Sequence, residues 1–330
     1  MKSFFAMVQA RTMEFVRDRA NLTWSLIFPV VLVAGLALAF SGDGERVFKI
    51  GTRGEVAPVL KVTEVEEIPY GVGDEALVQA EKKLLQHMID LLVDLEKQEL
   101  VVNKESQKST LSLRIFQEEF PTYKTREVRG QPIRYLDWVV PGVIGMNMLF
   151  SCLFGVGYVL VRYRKNGVLK RMKATPVGAF TFLSAQALSR LLIVLGTSTL
   201  VFFGTNLALG FTMKGSWFDL FLYYALGVFS IIALGLVVAS RFKNEEVTNG
   251  ILNLIIFPMV ILSQVFFSLE GAPDFVQTAA SFLPLSPIIS GARQIMLEGA
   301  GLGDLWPQML YMGGLTAAFL TLGAWLFRWD

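Results

Sequence analysis

Residues 21–40 carry no charged side chain, and at about 20 residues they can cross the apolar core of a bilayer as one helix. That core holds no water, so a segment inside it must satisfy its own backbone hydrogen bonds. Comparable stretches follow at residues 137–161, 179–207, 218–239, 247–269 and 305–327. The chain therefore reads as an α-helical polytopic membrane protein with six transmembrane helices. A hydrophobic fraction of 53% and a mean hydropathy of +0.50 fit that class better than a soluble domain.

Between the first two stretches lies a polar insert, residues 41–136. Residues 41–135 hold 14 Lys/Arg against 17 Asp/Glu, a net of −3. Residues 47–51 suggest a strand. Leu77, Leu84, Met88, Leu91 and Leu95 recur at helical spacing and predict a helix over 74–97. Residues 99–103 and 110–116 suggest extended chain, the latter from the alternation of Leu111, Leu113 and Ile115. A mixed α/β domain of this size can bury a modest core.

Sidedness comes from residues 162–176, which hold six Lys/Arg and no acid between two apolar stretches. Lys and Arg beside a span are retained in the cytoplasm. Chain parity then makes both termini cytoplasmic and the insert extracytoplasmic. Residues 1–20 mix Phe4, Phe5, Val8, Met13, Phe15 and Val16 with Lys2, Arg11, Arg17 and Arg19. They suit a cytoplasmic amphipathic helix in the headgroup layer or an anchor, and no small-residue cleavage site follows, so span one is read as uncleaved. Residues 137–330 form a five-span region. Within it residues 270–303 are apolar but broken by Pro273, Pro284 and Pro287, which predicts short helices dipping into the outer leaflet. Glu270 and Glu298 would flank this re-entrant segment at the interface, with Arg293 a partner for either.

Several functions are disfavoured. A net charge of +2 gives nucleic-acid binding no bulk support. A single cysteine, Cys152, rules out an intramolecular disulfide and a Cys-based zinc site, and reads as a small core residue. The single histidine, His87, reads as a solvated surface residue rather than a metal ligand. No Gly-x-x-x-x-Gly-Lys-Ser/Thr phosphate loop occurs, so ATP hydrolysis by that mechanism would need a partner chain. No span carries a Ser/His, paired-Asp or His/Glu constellation, which disfavours an intramembrane enzyme.

The basic segment also has a shape. Asn166-Gly167 permits a tight turn, and Thr175-Pro176 ends one element and begins the next. Arg164, Lys165, Asn166, Gly167, Leu169, Lys170, Arg171, Thr175 and Pro176, within a loop spanning 162–178, form a candidate cytoplasmic knob. The plainer alternative is that its charges only obey the positive-inside tendency. Residues 241–246 form a second cytoplasmic loop that could touch the same partner. Polar residues inside spans mark either a pathway or helix packing. Asn147, Ser151 and Gly155 share one face of span two. Asn249, Asn253 and Gln264 fall within about 60° on span five, where Pro258 suggests a kink. Arg190, in span three, must snorkel to the headgroups or meet an internal anion.

Residues 163–176, Tyr-Arg-Lys-Asn-Gly-Val-Leu-Lys-Arg-Met-Lys-Ala-Thr-Pro, resemble the signature of ATP-binding cassette type 2 export permeases. Residues 283–293, Leu-Pro-Leu-Ser-Pro-Ile-Ile-Ser-Gly-Ala-Arg, are similar to a second landmark of that family. Residues 101–109, Val-Val-Asn-Lys-Glu-Ser-Gln-Lys-Ser, resemble the outer-domain pattern of members with a large insert. Many members carry acids where this chain has Asn166 and Lys170. The resemblance implies a bacterial plasma-membrane subunit that dimerises, with a second copy or a sister permease. It implies a cytoplasmic ATPase subunit that brings ATP and Mg, this chain holding no cofactor. It also implies outward movement of a drug, lipid, polymer or peptide. A receptor or scaffold whose outer domain binds a ligand without transport is the alternative, weakened by five further spans and a shaped loop.

Overall fold

The computed structural model describes residues 2–39, 48–54, 65–130, 133–175, 177–242, 244–269 and 272–326. The chain divides into two compact units, one of Met1–Leu38 with Leu136–Asp330 and one of Ala39–Tyr135. The first begins with α1 (Lys2–Arg17), breaks at Asp18 and continues as α2 (Arg19–Ala39). The Asp18 carboxylate accepts from the Asn21 N–H at 3.1 Å, which satisfies a donor that the start of α2 leaves free.

The insert is a five-stranded sheet with helices attached. Its elements are β1 (Phe48–Arg53), β2 (Val65–Pro69), α3 (Asp74–Leu85), β3 (Leu91–Asp94), β4 (Glu99–Asn103), α4 (Gln107–Gln117) and β5 (Lys124–Val128). The order is β2-β1-β3-β4-β5, parallel except where β3 meets β4. Alternate side chains feed two cores. Ile50, Leu91, Val93, Leu100, Val102 and Phe116 pack together on one face. Leu77, Ala80, Leu84, Ile89, Leu92 and Val101 pack on the other. Arg53 and Asp94 form a buried pair at 2.7 Å, and the Asp94 Oδ1 also accepts from the Glu96 and Lys97 N–H groups. Arg126 donates to Glu81, which holds its guanidinium above the ordinary range.

Two sequence expectations for the insert fail. The helix predicted over 74–97 stops at Leu85, and His87 turns the chain with φ 58° before β3 begins. Leu91 and Leu95 matched helical spacing by coincidence, because a short central strand buried on both faces is a continuous apolar run. The segment predicted as extended, 110–116, is helical within α4. Ser106 caps that helix, accepting from Ser109 N–H. The buried face carries Ser109, Ser112 and Phe116, while Leu111 and Ile115 point outward. His87 is also not a freely solvated side chain: it is half-buried, with Nε2 at 2.7 Å from the Gly130 carbonyl.

The second long helix of the other unit comprises α5 (Tyr135–Cys152), a π-helical stretch at Leu153–Tyr158 and α6 (Val159–Lys165). Then come α7 (Val168–Lys173), α8 (Ala179–Leu209), α9 (Trp217–Arg241), α10 (Glu245–Leu262), α11 (Asp274–Ser281), α12 (Leu285–Arg293), a π-helical turn at Gln294–Glu298 and α13 (Trp306–Leu326). Among the described residues five helices are long and apolar enough to cross a membrane, or six if the pair bent by 92° at 274–298 is one crossing. α13, 21 residues without a charge and roughly 32 Å long, is not among those helices. α9 lies at the centre of the unit, packed against α8, α12, α13 and the π-helical stretch. Cys152 is fully buried. The fifth span is shorter than expected: α10 runs on past Pro258 but ends at Leu262 rather than 269, and the chain turns at Gln264, φ 58°.

Candidate functional site

The basic segment forms a helical knob. α6 ends at Asn166, Gly167 reverses direction in the left-handed region at φ 68°, and α7 begins at once. An L side chain is strained at that φ, although a Cβ on Gly167 would meet nothing within 4 Å. Leu169 is fully buried beneath the turn. Arg164 is also buried rather than displayed. Its Nη1 donates to the Ala239 carbonyl at 2.9 Å and the Phe242 carbonyl at 2.5 Å, where α9 ends. A guanidinium at a helix C-terminus satisfies free carbonyls and the helix dipole together.

Lys165 lies 3.4 Å from Glu245 at the start of α10, and the Tyr158 hydroxyl donates to the same carboxylate at 2.9 Å. The inner side of the knob is thus tied to both ends of the α9–α10 connection. Its outer side presents Arg162, Asn166, Lys170, Arg171, Lys173 and Thr175, all exposed. Pro176 lies outside the described residues, as does Lys243 of the second basic loop.

α1 docks along α8. The Tyr163 hydroxyl donates to Glu14 at 2.6 Å, Arg11 stacks 4.2 Å above the Tyr163 ring, and the Thr12 and Ser189 hydroxyls are 2.9 Å apart. The amino-terminal helix is therefore joined to the helix that carries the knob. Tyr158, Tyr163, Glu14 and Glu245 were not singled out from sequence. Their only signal was polar groups at the edges of apolar stretches, which does not say which groups meet.

Arg190 forms no ion pair with a carboxylate among the described residues. It donates to the Ser151 carbonyl and lies 5.4 Å from the Phe15 ring centroid. Its guanidinium occupies the place of a Cβ on Gly155, the nearest atom being 1.9 Å from that position. Gly155 sits in the π-helical stretch, so the irregular turn and the missing side chain together make room for a cation. Asn147 is buried and donates to the Ser25 carbonyl of α2 at 3.4 Å; Ser151 is buried as well. This stripe faces α2 and α8 within the unit.

On α10 the arrangement differs. Asn249 and Pro258 are exposed, Asn253 is half-buried, and the Asn253 amide donates to Asn249 at 3.3 Å. Gln264 lies beyond the helix and does not share that face; its carbonyl accepts from Arg293 Nη2 at 2.6 Å. Arg293 also donates through Nε to the Trp138 carbonyl at 3.0 Å and covers the Trp138 ring at 3.5 Å. Pro284 caps α12, Pro287 lies buried in its first turn, and Glu298 is exposed just before Gly299. Glu270 lies outside the described residues. The Tyr223 hydroxyl donates to the Pro287 carbonyl at 2.6 Å and sits where a Cβ on Gly291 would be, so that close approach requires glycine. Among the described residues no group of three His, Cys, Asp or Glu side chains could hold a metal ion.

Residues 20–325 match the family model described as ABC-2 family transporter protein. The inner membrane transport permease YhhJ of Escherichia coli is 26% identical over 183 residues, 55% of this chain and 49% of that protein. The linearmycin resistance permease protein LnrN of Bacillus subtilis is 25% identical over 186 residues, 54% of this chain and 46% of that one. The daunorubicin resistance ABC transporter permease protein DrrB1 of Streptomyces coeruleorubidus is 26% identical over 201 residues, 59% of this chain and 69% of that one. The chain thus spans about half the length of YhhJ and LnrN.

Proposed function

The chain belongs to the ABC-2 transporter family, and we propose that it is the membrane-spanning permease subunit of an ATP-driven exporter in the bacterial inner membrane. The observation that carries this reading is the two-sided knob. A cationic outer face is open to a partner, while Arg164 and Lys165 on its inner side are held by α9 and α10. A partner that displaces such a knob moves α6 and the inner ends of α9 and α10 as one body. The Tyr163–Glu14 bond passes the same displacement to α1. Non-catalytic in itself, the chain relies on a cytoplasmic ATPase subunit that binds ATP and Mg.

The knob and both termini are cytoplasmic and the insert is extracytoplasmic, with six crossings and a re-entrant α11–α12 pair. The outward face of α10, with Asn249 and Asn253, forms the seam with a second permease copy and lines the path. An exposed amide pair on a membrane helix is costly unless it is paired or wet. The cargo is hydrophobic or amphipathic; the names of two relatives, LnrN and DrrB1, attach linearmycin and daunorubicin resistance to those proteins. Co-purification of an ATPase subunit with the full chain, followed by Gly167→Val, tests the reading. Membrane insertion should persist while stimulation of ATP hydrolysis falls at least tenfold. Unchanged stimulation refutes the role of the knob.

A further inference from the structure

α8 carries a single charged side chain in 31 residues, Arg190. That side chain does not stretch along its own helix toward water, as a snorkelling residue does. It crosses to the neighbouring helix, where Nη2 donates to the Ser151 carbonyl and the guanidinium fills the space left by Gly155. Phe15 of α1 stands on the other side, its ring centroid 5.4 Å away.

The donors of this cation are unequally used. Among the described residues Nε is enclosed without a partner, whereas Nη1 makes no hydrogen bond and is not enclosed. The side chain as a whole is half-buried. The acids that flank Phe15 in the chain are engaged elsewhere. Glu14 accepts from Arg11 at 2.8 Å and from Tyr163 at 2.6 Å, and Asp18 accepts from the Asn21 N–H at 3.1 Å. A cation in an apolar setting needs an anion, and a carbonyl and a ring face supply only partial charge. The open donor is left for a group outside the chain.

Depth gives the chemistry of that group. Phe15 stands just before the break at Asp18, and the charge-free stretch 21–40 begins just beyond it. Arg190 therefore lies where α2 enters the bilayer, in the headgroup layer on the knob's side. The oxyanion present there in every leaflet is the phosphodiester of a phospholipid, which Arg matches well. We propose that the crevice between α1, α5 and α8 binds the phosphodiester of one phospholipid, held by Nη1 of Arg190. Because the guanidinium is fixed against α5, the phosphate comes to it. The site needs neither an ATPase nor cargo movement, so its failure would leave the exporter reading intact.

The test is native mass spectrometry of the full chain, released from micelles that contain dioleoylphosphatidylglycerol or diolein, which has the same chains and no phosphate. The wild type should retain one phosphatidylglycerol per chain and no diolein. Arg190→Gln should weaken retention about tenfold, the worth of one charge-assisted hydrogen bond. Arg17→Gln with Arg19→Gln, both exposed on the same level, should weaken it less than about twofold. Equal retention of the two lipids overturns the site. So does retention that follows Arg17 and Arg19 and ignores Arg190, because diffuse attraction to headgroups then accounts for it. Dimethyl phosphate held as tightly as the lipid would make the occupant a free anion and overturn the lipid. A second measurement needs no variant. Phosphatidylglycerol with a photoreactive headgroup, in nanodiscs, should mark residues 12–19 and 186–193 of the wild type, and a label that avoids both segments overturns the proposal.

Discussion

Arg164 looks in the sequence like one more member of a basic cluster, yet its position makes it a strut. Charge-assisted hydrogen bonds contribute about 1.5–3 kcal/mol each, and its bonds include those to Ala239 and Phe242. Arg164→Ala should therefore free the knob from α9, raising amide exchange across 162–173 and cutting partner ATPase stimulation about tenfold or more. Lys170→Ala, on the exposed side, should leave that exchange unchanged. Gly155 offers a second test. Even a methyl group there displaces the Arg190 guanidinium from the Ser151 carbonyl. Gly155→Ala should destabilise by about 1.5–3 kcal/mol. In an Arg190→Met background the same change should cost far less, so the double-mutant cycle reports a coupling of similar size.

Among the elements, the apolar stretches were legible because a membrane span needs only length and low charge, and each produced a helix near its expected bounds. Span five was the exception. Hydropathy continues to 269, whereas the helix ends at Leu262 and the chain turns at Gln264. The insert was less legible, because there the sheet decides what periodicity alone does not. β3 has neighbours on both sides, so all four of its residues are buried and carry no alternation. α4 buries Ser109 and Ser112 beside Phe116 and exposes Leu111, with Leu113 half-buried against the same core. Within the knob the turn was visible from Asn166-Gly167, but the ties to Glu14, Ala239 and Glu245 depend on partners 75 to 149 residues away.

Asn103 shows what such non-local contacts are worth. Its amide donates to the carbonyls of Leu84 at 3.2 Å and Gly130 at 3.0 Å, and its Oδ1 accepts from Glu105 N–H at 3.1 Å. Residues 44–134 in isolation should fold as a soluble unit with mixed α/β circular dichroism. In that fragment Asn103→Leu should cost about 2–4 kcal/mol by urea unfolding, since several buried groups lose partners. Leu111→Ser, on the exposed face of α4, should stay within about 0.5 kcal/mol.

For the whole molecule the decisive quantity is sidedness. The chain has one cysteine, and it is buried, so single-cysteine labelling has a low background. With Cys152→Ser, Lys170→Cys should react with an impermeant maleimide only in inverted vesicles, and Glu105→Cys only in intact cells. The opposite pattern would reverse the assignment of every loop. The π-helical stretch at Leu153–Tyr158 bears on the direction in which the knob points. A π-turn accommodates one residue more than an α-turn, so it offsets the phase of all that follows by about 100°. Deleting a single residue there would restore a regular screw without shortening the crossing appreciably, and would swing Arg164 away from the end of α9. The aim of the proposed contact surface is thus stored in one surplus residue, and a relative that lacked it would need to present its own knob on another side.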